Sequence, residues 1–270
     1  MAAIGYAAEI DAARRFLQAI EPDETVVLLF HGDTDGCCAG AIVYRTLRQM
    51  GNELVFPVFM SKDENIYSKS VTQRILARDP SYLIVINAGG KARAIVPGLT
   101  TMVIDHHRPE GVPPVDLFVT SFGVEPPAPA SLLAYEMCKE FATMGGLEWL
   151  AAVGAAADLG IQADIGVLRS ARDMYGAKVL RETVSLINAG RRSAEHDVAE
   201  AFEALIEAEN PLDIAEHRLP EATILESYRQ EVTGELQRVL QIQPKTHERW
   251  TLIQFQSPDL IHPMVAAAWS

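Results

Sequence analysis

The segment Val26-Val27-Leu28-Leu29-Phe30-His31-Gly32-Asp33-Thr34-Asp35-Gly36 decides how this chain reads. Five consecutive apolar residues run directly into a histidine and two acids spaced i, i+2. A short run that is apolar at every position predicts a strand covered on both faces, as in a parallel sheet. Met102-Val103-Ile104 followed by Asp105-His106-His107 repeats the arrangement downstream. Polar residues at the carboxyl ends of parallel strands lie where open α/β sheets place their ligands. On an extended strand end His31, Asp33 and Asp35 occupy i, i+2 and i+4 and project to one side. Carboxylates and imidazoles without a thiolate suit Mn²⁺ or Mg²⁺ better than structural zinc. The plainer reading of the first cluster is a loop in which Asp33 and Asp35 make Asx turns with Gly32 and Gly36.

Outward from these clusters the chain alternates strand and helix. A helix is expected over 5–20, the strand over 26–30, and a helix from about Cys38 to Met50 that Gly51 stops. Strands follow over 54–59, 82–86, 101–104 and 115–119, with a short helix over 69–78. The proline-rich turn 126–129 opens a helix over 130–141. This alternation predicts an α/β fold, a mostly parallel sheet with helices on both faces. Beyond residue 147 the pattern is helical over 148–159, 171–188, 196–208 and 221–241, interrupted at Asn210-Pro211 and broken at Gln243-Pro244-Lys245. A single strand over 250–255 and a helix start over 263–269 close the sequence. The expected organisation is an α/β metal-binding domain over 1–190, a helical linker over 191–245, and over 246–270 the start of a second small α/β domain.

Composition narrows the function. The chain has 270 residues, is 49% hydrophobic and carries a formal net charge of −13. The hydrophobic fraction belongs to a folded protein. The negative balance argues against long duplex nucleic acid, whose non-specific binding needs many cations on phosphates. With aromatic residues at only 7%, no stacking platform for a long single strand stands out. No apolar stretch approaches the ~18 residues of a membrane span. Met1 to Asp11 lacks the basic and apolar regions of a signal peptide. Three cysteines, two of them adjacent, read as small buried hydrophobes in a reducing cytoplasm. No GxGxxG follows the first strand, which sets aside a dinucleotide-binding Rossmann domain.

The ordered set His31-x-Asp33-x-Asp35-Gly36, Asp105-His106-His107 and Ala157-Asp158-Leu159-Gly160 resembles the DHH phosphoesterase superfamily. That group includes RecJ-type exonucleases, nanoRNA and pAp phosphatases, cyclic-dinucleotide phosphodiesterases and manganese pyrophosphatases. Pro129-Ala130-Ser131-Leu132-Leu133-Ala134-Tyr135-Glu136 is similar to the helix start that follows the DHH strand in that group. The resemblance covers residues 20–160 and, more loosely, the helices to about 245. It implies two Mn²⁺ ions, with Mg²⁺ as the alternative: one on His31 and Asp33, the other on Asp35, His106 and Asp158. It also places His107 beside the scissile phosphate, makes Asp105 the group that orients the histidines, and assigns substrate binding to the small domain that starts at 246. The reaction implied is hydrolysis of a phosphodiester or phosphomonoester of a nucleotide or short oligonucleotide by a metal-activated water. No covalent nucleophile is needed, so Cys37 and Cys38 have no catalytic part.

Two departures from the family pattern bear on activity. Asn87, natural or introduced, stands where the family usually has a metal-bridging aspartate, and an amide bridges two cations poorly. No glycine-rich, histidine-containing phosphate-gripping segment appears before Ser270. In Gly89-Gly90-Lys91-Ala92-Arg93 the backbone amides and the cations of Lys91 and Arg93 are candidate phosphate contacts, with a solvated loop as the alternative. Arg191-Arg192 reads as a solvated pair at a helix C-terminus. Two functions follow: a metal-dependent phosphoesterase, or a degenerate scaffold of the same fold that binds nucleic acid, nucleotide or a protein partner without hydrolysis. A homo-oligomer is compatible with either.

Overall fold

The branched apolar runs form the strands. The computed structural model describes residues 6–141, 146–247 and 250–269. Residue 5 of the expected first helix and Ser270 lie outside the described residues. β1 (Val26–Phe30), β2 (Val55–Val58), β3 (Tyr82–Ile86), β4 (Thr100–Asp105) and β5 (Leu117–Thr120) build one sheet in the order β2-β1-β3-β4-β5, every pair parallel. The parallel sheet expected from the sequence is present. Chain direction across it reverses at β1, so the crevice beside the carboxyl ends of β1 and β3 is the topological switch point.

Register fixes what meets there. Phe30 pairs with Ile86 and Ile86 with Ile104, so His31, Asn87 and Asp105 begin on a single rung. Each strand then delivers its next side chains into the same crevice.

Residues along the strands alternate between two cores. Val26, Leu28, Phe30, Ile84, Ile86, Met102, Ile104 and Val119 face the larger one. It is completed by α1 (Ala7–Gln18), α2 (Thr34–Gln49), α4 (Ala130–Cys138) and α5 (Glu148–Leu159). Val27, Leu29, Leu83, Val85 and Val103 face a smaller core closed by α3 (Lys69–Leu76) and by Ile66, Ile95 and Val96. Leu150 to Ala156 of α5 are all buried, because that helix is wrapped by others rather than lying on the surface. Cys37, Cys38 and Cys138 are buried and free.

Past α5 come α6 (Gly166–Tyr175), α7 (Ala177–Arg192), α8 (Val198–Glu207), α9 (Pro211–Ala215) and α10 (Pro220–Leu240). Phe202 of α8 reaches the large core, its ring centroid 4.9 Å from Phe30, 5.6 Å from Tyr44 and 5.9 Å from Phe59. The last elements are an antiparallel hairpin of β6 (Lys245–His247) and β7 (Trp250–Leu252), then α11 (His262–Ala268). Val232 and Val239 of α10 join Ile261 and Val265 in a separate small apolar cluster.

Four local expectations are corrected. α2 begins at Thr34 rather than near Cys38, because Asp33 caps it by accepting the Gly36 N–H at 2.9 Å. The helix expected over 171–188 is two helices that meet at Gly176. Asn210-Pro211 starts a helix rather than only interrupting one: Asn210 and Asp213 form a capping box with Pro211 in the first turn. The strand expected over 250–255 is the second arm of a hairpin and ends at Leu252.

Candidate metal centre

The early start of α2 changes how the first cluster is built. His31, Asp33 and Asp35 do not lie along one strand end: β1 stops at Phe30, Asp33 is an N-cap, and Asp35 belongs to the first turn of α2. The turn sends Asp33 and Asp35 to different neighbours. The Asx reading of Asp33 and its place at the centre hold together, since one carboxylate oxygen caps α2 while the other faces His31.

Asp35 is fully buried, and its oxygens accept the backbone N–H groups of Ala130 at 2.8 Å and Ser131 at 3.0 Å. These are the first residues of α4, so a helix N-terminus faces the carboxylate and partly compensates its burial. Across the crevice His106 Nε2 lies 3.9 Å from Asp35 Oδ2 and 3.2 Å from Asp158 Oδ2. It is buried and has no hydrogen-bond partner. Asp158 is one residue from the C-terminal end of α5, a position where the helix dipole opposes a negative charge. Burial pushes both acids up, reinforced at Asp35 by Asp158 and at Asp158 by Asp33. Burial also pushes His106 down, which favours its neutral, metal-ligating form. Asp35, His106 and Asp158 each offer a ligand atom within 4.8 Å of the others. Two mutually repelling carboxylates and an orphaned imidazole nitrogen fit one divalent cation.

α5 comes this close to α2 and α4 because of Gly154. A Cβ there would lie 2.5 Å from Ser131 Cβ and 3.1 Å from Asp35 Oδ1. The residue that seats Asp158 against Asp35 is thus a glycine one helical turn earlier.

The other half of the centre is differently bonded. His31 Nδ1 lies 2.7 Å from Asp33 Oδ2, and Asp33 Oδ1 accepts both the Gly36 N–H and Asn87 Nδ2, the latter at 3.1 Å. Burial would raise Asp33, but His31, the Gly36 amide and Arg191 outweigh it and hold the carboxyl down at about 2. Asn87 is buried at a left-handed φ of 56°, a conformation asparagine tolerates, and its Oδ1 is without a partner.

Asp105 is turned away from both halves. Its oxygens accept the backbone N–H of Gly89 at 2.6 Å, the backbone N–H of His107 at 2.7 Å and His107 Nδ1 at 3.0 Å. Burial opposes ionisation, yet these bonds hold the carboxyl below its ordinary value. The Asp105 bond in turn raises His107, whose ring is half exposed and packs 4.3 Å from that of His106. His107 therefore stands at the mouth, oriented and biased towards its charged form.

Lys91 and Arg93 are exposed and make surface contacts. Lys91 Nζ pairs with Glu110 at 2.9 Å, and the Arg93 guanidinium lies 4.8 Å above the Tyr67 ring. The cation that reaches the centre is one read from sequence as solvated: Arg191, whose Nη1 lies 3.0 Å from His31 Nε2. Arg192 beside it is pushed down by burial and by Arg191, so the pair is not a solvated helix end. Nothing local in the sequence marks Arg191, because the contact spans 160 residues.

No family model and no curated protein matches the sequence. Among solved structures, the chain is similar to the exonuclease RecJ bound to manganese, at 18% identity and a TM-score of 0.62 over 86% of this chain and 68% of that one. It is similar to RecJ from Thermus thermophilus in complex with Mn²⁺ at 18% identity and a TM-score of 0.64, over 88% of this chain and 40% of that one. A complex of the latter protein with Mg²⁺ also matches. The DHH domain of a member of the s1p family of ribosomal proteins matches at 18% identity and a TM-score of 0.62, over 86% of this chain and 62% of that one. The fold is therefore that of a DHH domain, and the chain spans 40–68% of the length of these three structures.

Proposed function

We propose that this chain is a metal-dependent phosphoesterase acting on a nucleotide or short oligonucleotide. The observation that carries the reading is His106 Nε2, buried between Asp35 and Asp158 at 3.9 and 3.2 Å without an aligned hydrogen bond to either. Asp35, His106 and Asp158 would hold a divalent ion, Mn²⁺ or Mg²⁺, which supplies charge neutralisation at phosphate and activation of water when bound. The α4 N-terminus aims Asp35 at that position and partly offsets the burial that raises its carboxyl, and Gly154 lets Asp158 approach. His107, half exposed and raised by its bond to Asp105, is placed to meet a phosphate oxygen or to move a proton at the mouth, with Asp105 fixing its ring. His31, Asp33 and Asn87 form the opposite wall. The negative surface balance disfavours long duplexes and leaves small phosphoesters as the preferred substrates. Among the described residues no helix is long and apolar enough to cross a membrane. The boundary at 245 is part of the same proposal, whereas α7 runs through residue 190 and Val198, Phe202 and Leu225 pack in the large core.

Asn87 favours a second reading, a non-hydrolysing scaffold, because a buried amide brings no charge to the centre. Hydrolysis of a generic phosphodiester with Mn²⁺, compared across the parent chain, Asn87→Asp and His106→Ala, separates the two. Turnover by the parent that His106→Ala abolishes supports the phosphoesterase. Turnover in none, despite bound Mn²⁺ in the parent, supports the scaffold.

A further inference from the structure

The two halves of the centre carry different charge. Asp35 and Asp158 bring two formal negative charges beside a neutral imidazole, which matches a divalent cation. His31, Asp33 and Asn87 together bring only one. That half already has a monocation: Arg191 reaches from the end of α7 and places Nη1 3.0 Å from His31 Nε2.

The hydrogen bonds leave little for a metal there. A guanidinium only donates, so His31 Nε2 is the acceptor and the ring proton is on Nδ1, donated to Asp33 Oδ2 at 2.7 Å. Asp33 Oδ1 is taken by the Gly36 N–H and by Asn87 Nδ2. The one ring nitrogen of His31 that could ligate a cation is thus occupied by a cation that cannot leave as a neutral species. Asp35, His106 and Asp158 gather three ligand atoms within 4.8 Å of one another, whereas His31 and Asp33 have a neutral amide, Asn87, as their third neighbour.

The backbone is shaped to hold Arg191 in place. Its carbonyl accepts His196 Nδ1 at 2.7 Å, and Ser193 Oγ bonds back to Gly190 at 3.0 Å, closing the turn between α7 and α8. At Gly32, within the first cluster, a Cβ would meet Val198 Cγ2 at 2.5 Å and Arg191 Cδ at 3.5 Å. The glycine lets the α7–α8 corner close onto the loop that carries His31.

We infer that Arg191 is a built-in cation standing at His31 and Asp33 in place of a second metal ion. The chain then holds a single divalent ion, at Asp35, His106 and Asp158, and presents a guanidinium to the substrate's phosphate from the other side. A planar fork of N–H donors matches phosphate oxygens as well as it matches an imidazole lone pair. This inference rests on the metal-dependent reading proposed above.

Mn²⁺ binding to the full chain, followed by calorimetry and electron paramagnetic resonance, tests it. The expected result for the parent is one Mn²⁺ per chain with the spectrum of an isolated ion. His31→Ala is expected to retain that ion and His106→Ala to lose it. Asn87→Asp combined with Arg191→Met adds a negative charge and removes the guanidinium. It is expected to bind a second Mn²⁺ and to show the spin-coupled spectrum of ions about 3.5–4 Å apart. Two coupled Mn²⁺ ions in the parent, or loss of Mn²⁺ in His31→Ala, overturn the inference and leave the metal-dependent reading standing. No Mn²⁺ bound by the parent overturns both. If circular dichroism shows the double variant unfolded, the parent and His31→Ala results decide alone.

Discussion

Replacing Asn87 by aspartate probes the centre without any substrate. The new carboxylate would stand where Asn87 Nδ2 now donates to Asp33 Oδ1 at 3.1 Å. Two like charges at that distance repel by about 5 kcal/mol at an effective dielectric constant of ~20. The lost amide hydrogen bond adds about 1 kcal/mol. Side-chain relaxation and attraction to Arg191 and His31 offset part of this, leaving a net destabilisation of about 2–4 kcal/mol in metal-free neutral buffer. For a chain of this size the loss corresponds to a fall in Tm of roughly 5–10 °C. The pH dependence has a defined sign. Repulsion and burial raise the folded-state pKa of the added acid, so the variant's deficit is full above that raised pKa. It disappears as pH falls towards the ordinary carboxylate range, where the folded state holds the extra proton. Differential scanning fluorimetry of both chains from pH 7 to 5, with EDTA and then with Mn²⁺, measures this. Narrowing of the Tm gap on acidification, and on addition of Mn²⁺, is expected. Equal Tm values at pH 7 without metal would refute the donor arrangement between Asn87 and Asp33.

Other perturbations read out neighbouring parts of the structure. Asp105→Asn removes the bond that raises His107, so an NMR titration should show the His107 pKa falling towards its ordinary value. In the parent the pair stabilises the fold below the unfolded histidine pKa and above the unfolded carboxyl pKa. That contribution is lost as pH rises through His107 or falls through Asp105, and Asp105→Asn should remove this window from the stability profile. Gly154→Ala forces α5 away from Ser131 and Asp35; a loss of about 1–3 kcal/mol in denaturant unfolding is expected, together with weaker Mn²⁺ binding. Arg45 donates from one nitrogen to the carbonyls of Leu205, Ile206 and Ala208 at the end of α8. Arg45→Met should cost about 2–3 kcal/mol in urea unfolding, with the Mn²⁺ affinity unchanged.

The fold was legible in the sequence because its strands are buried on both faces. Val26–Phe30 and Tyr82–Ile86 had to be apolar at nearly every position, so no amphipathic alternation confused them. The acids and histidines were legible because they follow those strands directly. The start of α2 was not, since its cap, Asp33, also read as a strand-end ligand. The break at Gly176 and the hairpin before Trp250 were missed because short periodic segments do not say where a neighbour ends them.

By itself, the sequence determined the parallel α/β class, through local apolar runs whose side chains can be satisfied only in one kind of layer, and the family resemblance singled out Asp35, His106 and Asp158 as candidates. Only the tertiary structure decided which residues share a wall of the crevice. Register puts His31, Asn87 and Asp105 on one rung, the first turn of α4 fixes Asp35, and the C-terminal turn of α7 brings Arg191 to His31 from 160 residues away. Such contacts depend on strand order and helix packing, which no local pattern of residues encodes.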